Sequence, residues 1–375
     1  MPGHDLFPNG FLKACGLPLF EALATIATAS FRVGYFPSRF RQVNVAVLKK
    51  PGKSVQAYQT VGGWRPISLL CTMGKAIEAV IGIRIAEAAE ERRLLPEGQM
   101  GNRKGRNTEL AIRIVTETVY TAWKRRAVTS LLQLDIKGAF DTVNHVRLLD
   151  TMRSKGYPSW VVQWLCSYLE ARTAVLKFDD ETTDPIPIKA GVPQGSPLSP
   201  ILFIIYIASL YENLGSLAGL LVVGFADDTN LLSFTRDVQV NRRRLEWAWQ
   251  MCEEWARSRG MQFAPEKSEL IHFTRSRHPI RLKLRLGDTE IEPRESARFS
   301  GVWLDRKLNF NEHVRKVKGK LSTQNFALTR LAASVWGCDL VRAREIYTKV
   351  IRNAVAYGAS AFHTLTTEGL PKGAA

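Results

Sequence analysis

The stretch LLVVGFADDTNLLSF, residues 220–234, sets two adjacent carboxylates, Asp227 and Asp228, between apolar runs. Leu220 to Ala226 and Asn230 to Phe234 have strand length and composition, so the chain is expected to turn at Asp227-Asp228-Thr229. An apolar frame then holds both carboxylates at a strand junction facing a shared cavity. In isolation such a pair is more often a turn, a helix cap or a solubilising feature. Its meaning therefore depends on what surrounds it.

The chain has 375 residues, 52 Lys and Arg against 35 Asp and Glu, and a net charge of +17. That length can bury a large core and suggests two or three structural units, while the charge favours an anionic partner such as nucleic acid or an acidic membrane surface. Hydrophobic residues make up 45%, which excludes wholesale disorder. Cys15, Cys71, Cys166, Cys252 and Cys338 are odd in number and widely spaced, without the close pairs of a zinc knuckle or a disulfide framework, so they read as reduced and intracellular. The apolar run Ile201 to Leu210 is about half a bilayer span and reads as a buried helix. The N-terminus lacks the charge and apolar pattern of a secretion signal. Nucleus and cytoplasm both stay open, and no membrane partner is expected.

Along the chain, residues 11 to 32 suit a helix and Arg39 to Leu48 a strand, through Val43, Val45 and Val47. Thr72 to Leu94 reads as a helix whose face, Met73, Ile77, Ile81 and Ile85, is widened by Ala76, Val80 and Ile83. Asn107 or Thr108 is placed to cap the next helix. Ser130 to Ile136 reads as a buried strand ending near Lys137-Gly138, and Arg172 to Phe178 pairs with Ile186 to Ile188 across DDETTDP. From Val238 to Arg259 a helix presents Leu245, Ala248, Cys252 and Trp255 on one side, with Arg242, Arg243 and Arg244 most simply a solvated face. Between Asn311 and Arg352 nine Lys or Arg face three Asp or Glu, with Leu328, Ala332, Val335 and Trp336 at helical positions, as in a module that tracks a nucleic-acid backbone. The closing TLTTEGLPKGAA offers no chemistry.

Three motifs stand in order, LQLDIKGAFDTVNHV (132–146), AGVPQGSPLSPILF (190–203) and the opening GFADDTN (224–230). With GGWRPISLLCTMGKAIEAVI (62–81), EGQMGNRKGRNT (97–108), FAPEKSELIHFTR (263–275) and FSGVWLDRKLNFNEHV (299–314), they resemble reverse transcriptases of the non-LTR, LINE-like retrotransposon group from about residue 40 to 330. The resemblance implies an α+β right-hand polymerase with fingers, an antiparallel-sheet palm and a helical thumb. It divides the chain into an N-terminal helical extension (1–38), fingers (39–129), a palm with inserted fingers elements (130–310), and a thumb with a truncated tail (311–375).

It implies RNA-directed DNA polymerisation, in which a primer 3′ hydroxyl attacks the α-phosphate of a dNTP and expels pyrophosphate. Asp135 and Asp227 would bind the metals directly, with Asp228 beside them as a metal or primer-positioning residue. The cofactor would be two Mg2+ ions, or Mn2+ in their place, neutralising the attacking and leaving oxygens. Phe140 stands where the family carries an aromatic gate against the ribose 2′ hydroxyl; a buried aromatic is the plainer alternative. Gln194 and Gly195 belong to the nucleotide-positioning loop, and Arg65 and Arg103 to phosphate contacts. Lys267 would approach the triphosphate and protonate pyrophosphate, or form a surface ion pair with Glu266 or Glu269; Ala264-Pro265-Glu266 stands where the motif usually has an asparagine. Lys104, Arg106, Trp303 and Phe310 would contact template and primer, with solvated-loop and core roles as the alternatives. Asp141 reads as a helix cap or surface acid.

The implied partners are an RNA template, a DNA or RNA primer, dNTPs, the RNA-DNA heteroduplex product, and other retroelement domains or proteins. Complete endonuclease, zinc-knuckle and RNase H sequences are not evident, so cleavage of target DNA is not assigned. Two other readings stay open: a noncatalytic RNA-binding or assembly module derived from such an enzyme, and a mobile-intron reverse transcriptase with maturase function.

Overall fold

The computed structural model describes residues 3, 5–178, 181–332 and 337–362. Two compact units interleave along the chain: Met1–Glu97 with Ile136–Glu212 and Glu253–Phe263, and Gly98–Asp135 with Asn213–Cys252 and Ala264–Ala375. The first nine strands, in chain order, are β1 (Gln42–Lys49), β2 (Trp64–Leu69), β3 (Val128–Leu134), β4 (Thr173–Phe178), β5 (Glu181–Thr182), β6 (Ile186–Pro187), β7 (Leu220–Phe225), β8 (Asp228–Thr235) and β9 (Glu269–Phe273). The first nine helices are α1 (Asn9–Ala14), α2 (Gly16–Val33), α3 (Thr72–Glu91), α4 (Thr108–Lys124), α5 (His145–Ser154), α6 (Ser159–Leu169), α7 (Ser199–Gly215), α8 (Val238–Arg259) and α9 (Asn311–Leu331). Asp179, Asp180, Val335, Trp336 and the closing TLTTEGLPKGAA lie outside the described residues.

In the first unit β1 pairs antiparallel with β2 and parallel with β4, and Val43, Val45 and Leu70 pack there with Ala174 and Leu176. Phe36 meets the rings of Trp164 and Tyr168 edge-on at 5.2 Å, and the Trp164 indole N–H donates to Ser30 Oγ at 2.8 Å. Helix α7 is buried on every side over Leu202 to Ala208, as its unbroken apolar run requires.

The second unit is built on an antiparallel sheet in the order β7-β8-β3-β9. Helix α4 covers one face, setting Ile112, Val115 and Val119 among Leu131, Leu232, Ile271 and Phe273. Its start is capped by Asn107, whose Oδ1 accepts the Leu110 N–H at 2.8 Å. Leu245, Ala248, Cys252 and Trp255 of α8 are buried as their spacing predicts. All five cysteines are free, and among the described residues no helix is long and apolar enough to cross a membrane.

Three local readings change. The strand after the Asp pair begins at Asp228, so the connection is the two residues Ala226-Asp227. Helix α5 is capped by Asn144, not Asp141. The buried face of α3 is narrower than expected: Ile77, Ile81 and Ile85 are inside, but Val80 is 40% and Ile83 59% exposed, and Gly74, Glu78 and Gly82 occupy the rest of the inner face. Apolar residues on a helix mark its buried side only where small or polar residues have not taken that side for another purpose. Ile81→Ala should therefore cost about 2–5 kcal/mol of stability by leaving a cavity, whereas Ile83→Ala should stay within about 0.5 kcal/mol in urea unfolding.

Candidate active site

The geometry begins with strand register. Leu134, the last residue of β3, lies opposite Thr229 in β8, so the next residue, Asp135, emerges beside Asp228. On the other side of β8, Phe225 faces Asp228 across the two-residue turn. Ala226 holds φ at 55°, a left-handed conformation that a hairpin of this length favours at its first central position and that glycine adopts most easily. With alanine there the turn carries local strain, of order 1–3 kcal/mol.

A second segment braces this turn. The Met100 N–H donates to Gly224 O at 2.7 Å and the Gly224 N–H to Gly98 O at 2.8 Å, so residues 98–100 run along the edge of β7. A Cβ on Gly101 would lie 2.5 Å from the Ala226 nitrogen, and one on Gly98 would collide with the Val222 carbonyl. Gly98 and Gly101 are thus structural partners of the Asp hairpin that the sequence reading missed. Their spacing in a loop ahead of a capped helix was the available signal.

Asp228 feels the other two carboxylates. Burial raises the Asp228 pKa first, followed by the charges of Asp227 and then Asp135, to about 6. Although Asp228 is exposed as a residue, the protein beside its carboxyl and two like charges act in the same direction. Asp135 has a counter-ion: Lys267 Nζ donates to its Oδ2 at 2.7 Å. That approach is fixed by the backbone, because the Ala264 N–H donates to Asp135 O at 2.8 Å and a short 3-10 turn carries the chain on to Lys267. Of the two glutamates considered as partners for Lys267, Glu269 instead pairs with Arg294 at 2.5 Å.

Hard carboxylate oxygens under mutual repulsion fit a divalent cation in kind. Among the described residues, however, no three His, Cys, Asp or Glu side chains are gathered as a metal cluster.

The other predicted residues fall as follows. In the second unit, Arg103 Nη1 reaches Gln99 O at 3.4 Å and Arg106 lies beside Met100, so the Arg103-Lys104-Arg106 loop follows directly on the segment bracing the hairpin. Trp303 is half-buried with Lys316 Nζ 5.1 Å from its ring centre, while Phe310 is buried in the core and its N–H donates to Asp305 Oδ2 at 2.6 Å.

In the first unit, Gln194 O accepts the Ser68 N–H at 2.8 Å, which ties the loop to β2, the strand that carries exposed Arg65. Gly195 has φ 128°, and a Cβ there would lie 2.5 Å from Ser68 O. Phe140 stacks on Phe203 at 5.0 Å and its carbonyl accepts the Val192 N–H at 2.8 Å. Asp141 is an exposed turn residue whose pKa is raised by local desolvation and lowered in part by Lys50.

Residues 48–304 match the family described as "Reverse transcriptase (RNA-dependent DNA polymerase)". The "Probable RNA-directed DNA polymerase from transposon X-element" of Drosophila melanogaster is 29% identical over 361 residues, 95% of this chain and 39% of its own length. The corresponding protein from transposon BS of the same organism is 28% identical over 362 residues, with 95% and 40% covered. The RNA-directed DNA polymerase of the Drosophila melanogaster mobile element jockey is 27% identical over 364 residues, with 95% and 39% covered. The chain therefore spans 39–40% of the length of these relatives. A solved telomerase of Candida tropicalis aligns with 92% of this chain and 57% of its own at 13% identity and a TM-score of 0.49, too slight a likeness to fix the architecture.

The raised Asp228 pKa has a stability consequence. Above about pH 6 the folded protein carries a carboxylate that its surroundings disfavour, whereas below the unfolded value near 4 both states are protonated and the penalty is gone. In chelator, Asp228→Asn should melt higher than the parent at pH 8, and the gap should close as pH falls from 6 to 4. Differential scanning calorimetry across that range checks it.

Proposed function

The chain belongs to the reverse transcriptase (RNA-dependent DNA polymerase) family, and from that premise we propose that it extends the 3′ hydroxyl of a DNA or RNA primer with dNTPs on an RNA template, as a polymerase of a non-LTR retrotransposon. One observation supports the reading: the end of β3 and the β7–β8 hairpin bring Asp135 and Asp227 near enough for their charges to act on Asp228, with Lys267 on Asp135. Here burial and like charge leave Asp228 raised, an arrangement suited to cations that arrive with substrate.

Asp135 and Asp227, with Asp228 beside them, would hold two Mg2+ ions, or Mn2+, whose charge lowers the pKa of the primer hydroxyl and neutralises the departing pyrophosphate. The bond formed joins the primer 3′ oxygen to the α-phosphorus, the bond broken is that between the α-phosphorus and the oxygen bridging it to pyrophosphate, and the hydroxyl proton leaves to solvent. The Ala226 turn fixes the carboxylate pair before substrate binds, so little reorganisation is left to the reaction. Lys267 neutralises Asp135 at rest, and its 60% exposed side chain is free to swing from that carboxylate to a phosphate oxygen and donate a proton there.

Phe140, backed by Phe203, would exclude the ribose 2′ hydroxyl by collision and by leaving that hydroxyl without a partner. Arg65 and Arg103 would take triphosphate oxygens, and Lys104 and Arg106 the template backbone, since guanidinium and ammonium groups recognise phosphate without reading sequence. We read the antiparallel sheet of the second unit as the palm and α9, with Lys316, Lys318 and Lys320, as the start of a thumb that follows the RNA-DNA product by charge.

Offered an RNA template, an annealed DNA primer, Mg2+ and labelled nucleotides, the parent protein should incorporate dNTPs in template order. Asp135→Ala and Asp227→Ala should each lower incorporation by about 100-fold or more while template binding at fixed salt stays within about 2-fold. RNA binding by the parent without incorporation would instead identify a noncatalytic binding module. Phe140→Ala should raise rNTP incorporation relative to dNTP by roughly 10-fold to 100-fold, read as a ratio of kcat/KM values.

A further inference from the structure

We propose that Glu78 is a positioning residue which, through Ser196, holds the loop Pro193–Ser199 in the conformation that presents Gln194 and Gly195 to the incoming nucleotide. The anchoring stands on geometry alone; its consequence for the nucleotide rests on the polymerase reading above.

Glu78 lies on the inner face of α3 between Ile77 and Ile81 and is 1% exposed. A carboxylate so placed costs several kcal/mol unless its charge is met by hydrogen bonds and a counter-ion. The Ser196 hydroxyl donates to Glu78 Oε2. Ser196 Oγ in turn accepts the Tyr168 hydroxyl at 3.1 Å and the Leu198 N–H at 3.0 Å, so Ser196 uses its one donor and both acceptor positions. Arg172, also buried, lies 4.7 Å from the centre of the Tyr168 ring and donates to Tyr168 O at 3.1 Å. Burial pushes the Glu78 carboxyl up, and Ser196, Arg172, Lys75 and Tyr168 pull it back. This network is the reason the inner face of α3 is not continuously apolar.

Its other end is the loop. Gln194 O is tied to Ser68, Gly195 is pressed against that residue's carbonyl, and Ser199 Oγ donates to Pro193 O at 2.8 Å. Leu198 sits over Gly82, where a Cβ would lie 3.6 Å from Leu198 Cδ1. Backbone ties alone leave the loop free to rotate about Gly195, which has no side chain to restrict it. Ser196, the next residue, removes that freedom, because its hydroxyl can satisfy Glu78, Tyr168 and Leu198 together in one orientation only. The Glu78 carboxyl accepts from Ser196 and so turns its hydroxyl inward, and the amide oxygen of a glutamine could accept in the same place.

The test measures dNTP KM, kcat and primer-template affinity for Ser196→Ala, Glu78→Ala, their double variant and Glu78→Gln, together with hydrogen exchange of peptides covering 193–199 and 108–124. Ser196→Ala and Glu78→Ala should each raise dNTP KM about 10-fold with kcat and primer-template affinity within about 3-fold, and the double variant should be no worse than the weaker single variant, since both break one linkage. Exchange should quicken at 193–199 and not at 108–124. Glu78→Gln, which keeps the volume and one acceptor, should recover most of the KM. Unchanged loop exchange in Ser196→Ala, which decides the matter should Glu78→Ala fail to fold, or an unmoved dNTP KM in an active Ser196→Ala enzyme, would overturn the proposal. A parent protein that incorporates no dNTP would overturn the polymerase reading instead, and the exchange comparison would then decide the anchoring by itself.

Discussion

The antiparallel register between β3 and β8 is the constraint from which the site follows. Because side chains alternate along a strand, a shift of one residue in that pairing would send Asp135 to the opposite face from its present position. The register is held by burial on both sides: Leu131, Leu132, Leu231 and Leu232 are all fully buried. Asn230 adds a polar lock, its side chain donating to Val223 O at 2.9 Å and accepting from Gln133 Nε2 at 3.2 Å. The apolar core is therefore what fixes the distance between charges that would separate if left to themselves. It does so before any substrate is present.

Both units solve the same problem at their polar loops, by pressing glycine against backbone. Gly98 and Gly101 let one segment lie against β7 and the Asp turn, and Gly195 lets another lie against Ser68. In each case a side chain would force the backbone outward. The two solutions differ in what completes them: the turn at Ala226 is held by sheet pairing and by backbone bonds from residues 98–100, whereas the loop at Gly195 continues into a buried charged network. A hairpin inherits rigidity from its strands. A loop between a turn and a helix has no such source and needs side-chain anchors.

Much of this was legible in the residues because the decisive signals were short and local. The apolar run read as Ser130 to Ile136 and the two flanking Asp227-Asp228 located strands β3, β7 and β8, although β3 ends at Leu134 and leaves Asp135 just beyond it; Asn107 announced a helix start; the spacing of Leu245, Ala248, Cys252 and Trp255 gave the buried side of α8. What could not be read depended on partners distant in the chain. The salt bridge of Lys267 joins it to a residue 132 positions away, whereas local reading offered Glu266 and Glu269. The turn came out one residue short of expectation because strand pairing at Phe225 and Asp228 overrode the usual preference of Asp for turns. The buried Glu78 was invisible for the same reason: nothing in GKAIEAVI says that the helix face will be met by a serine 118 residues on.

The departures from local rules also fall at the places proposed for chemistry. Ala226 takes a backbone conformation better suited to glycine, Asp228 carries a carboxyl that its surroundings disfavour as a charge, and Glu78 occupies a position that periodicity reserves for an apolar side chain. Each lowers stability relative to the obvious alternative, and none improves packing. A sequence shaped for stability alone would have Gly at the turn, a neutral residue at the strand start and leucine or isoleucine inside α3. The three exceptions share a result: each fixes a polar group that a more stable substitute would remove or release. Fixed polar groups cost free energy in the resting protein and lower the reorganisation needed when a charged substrate arrives, which is the condition under which local instability is retained.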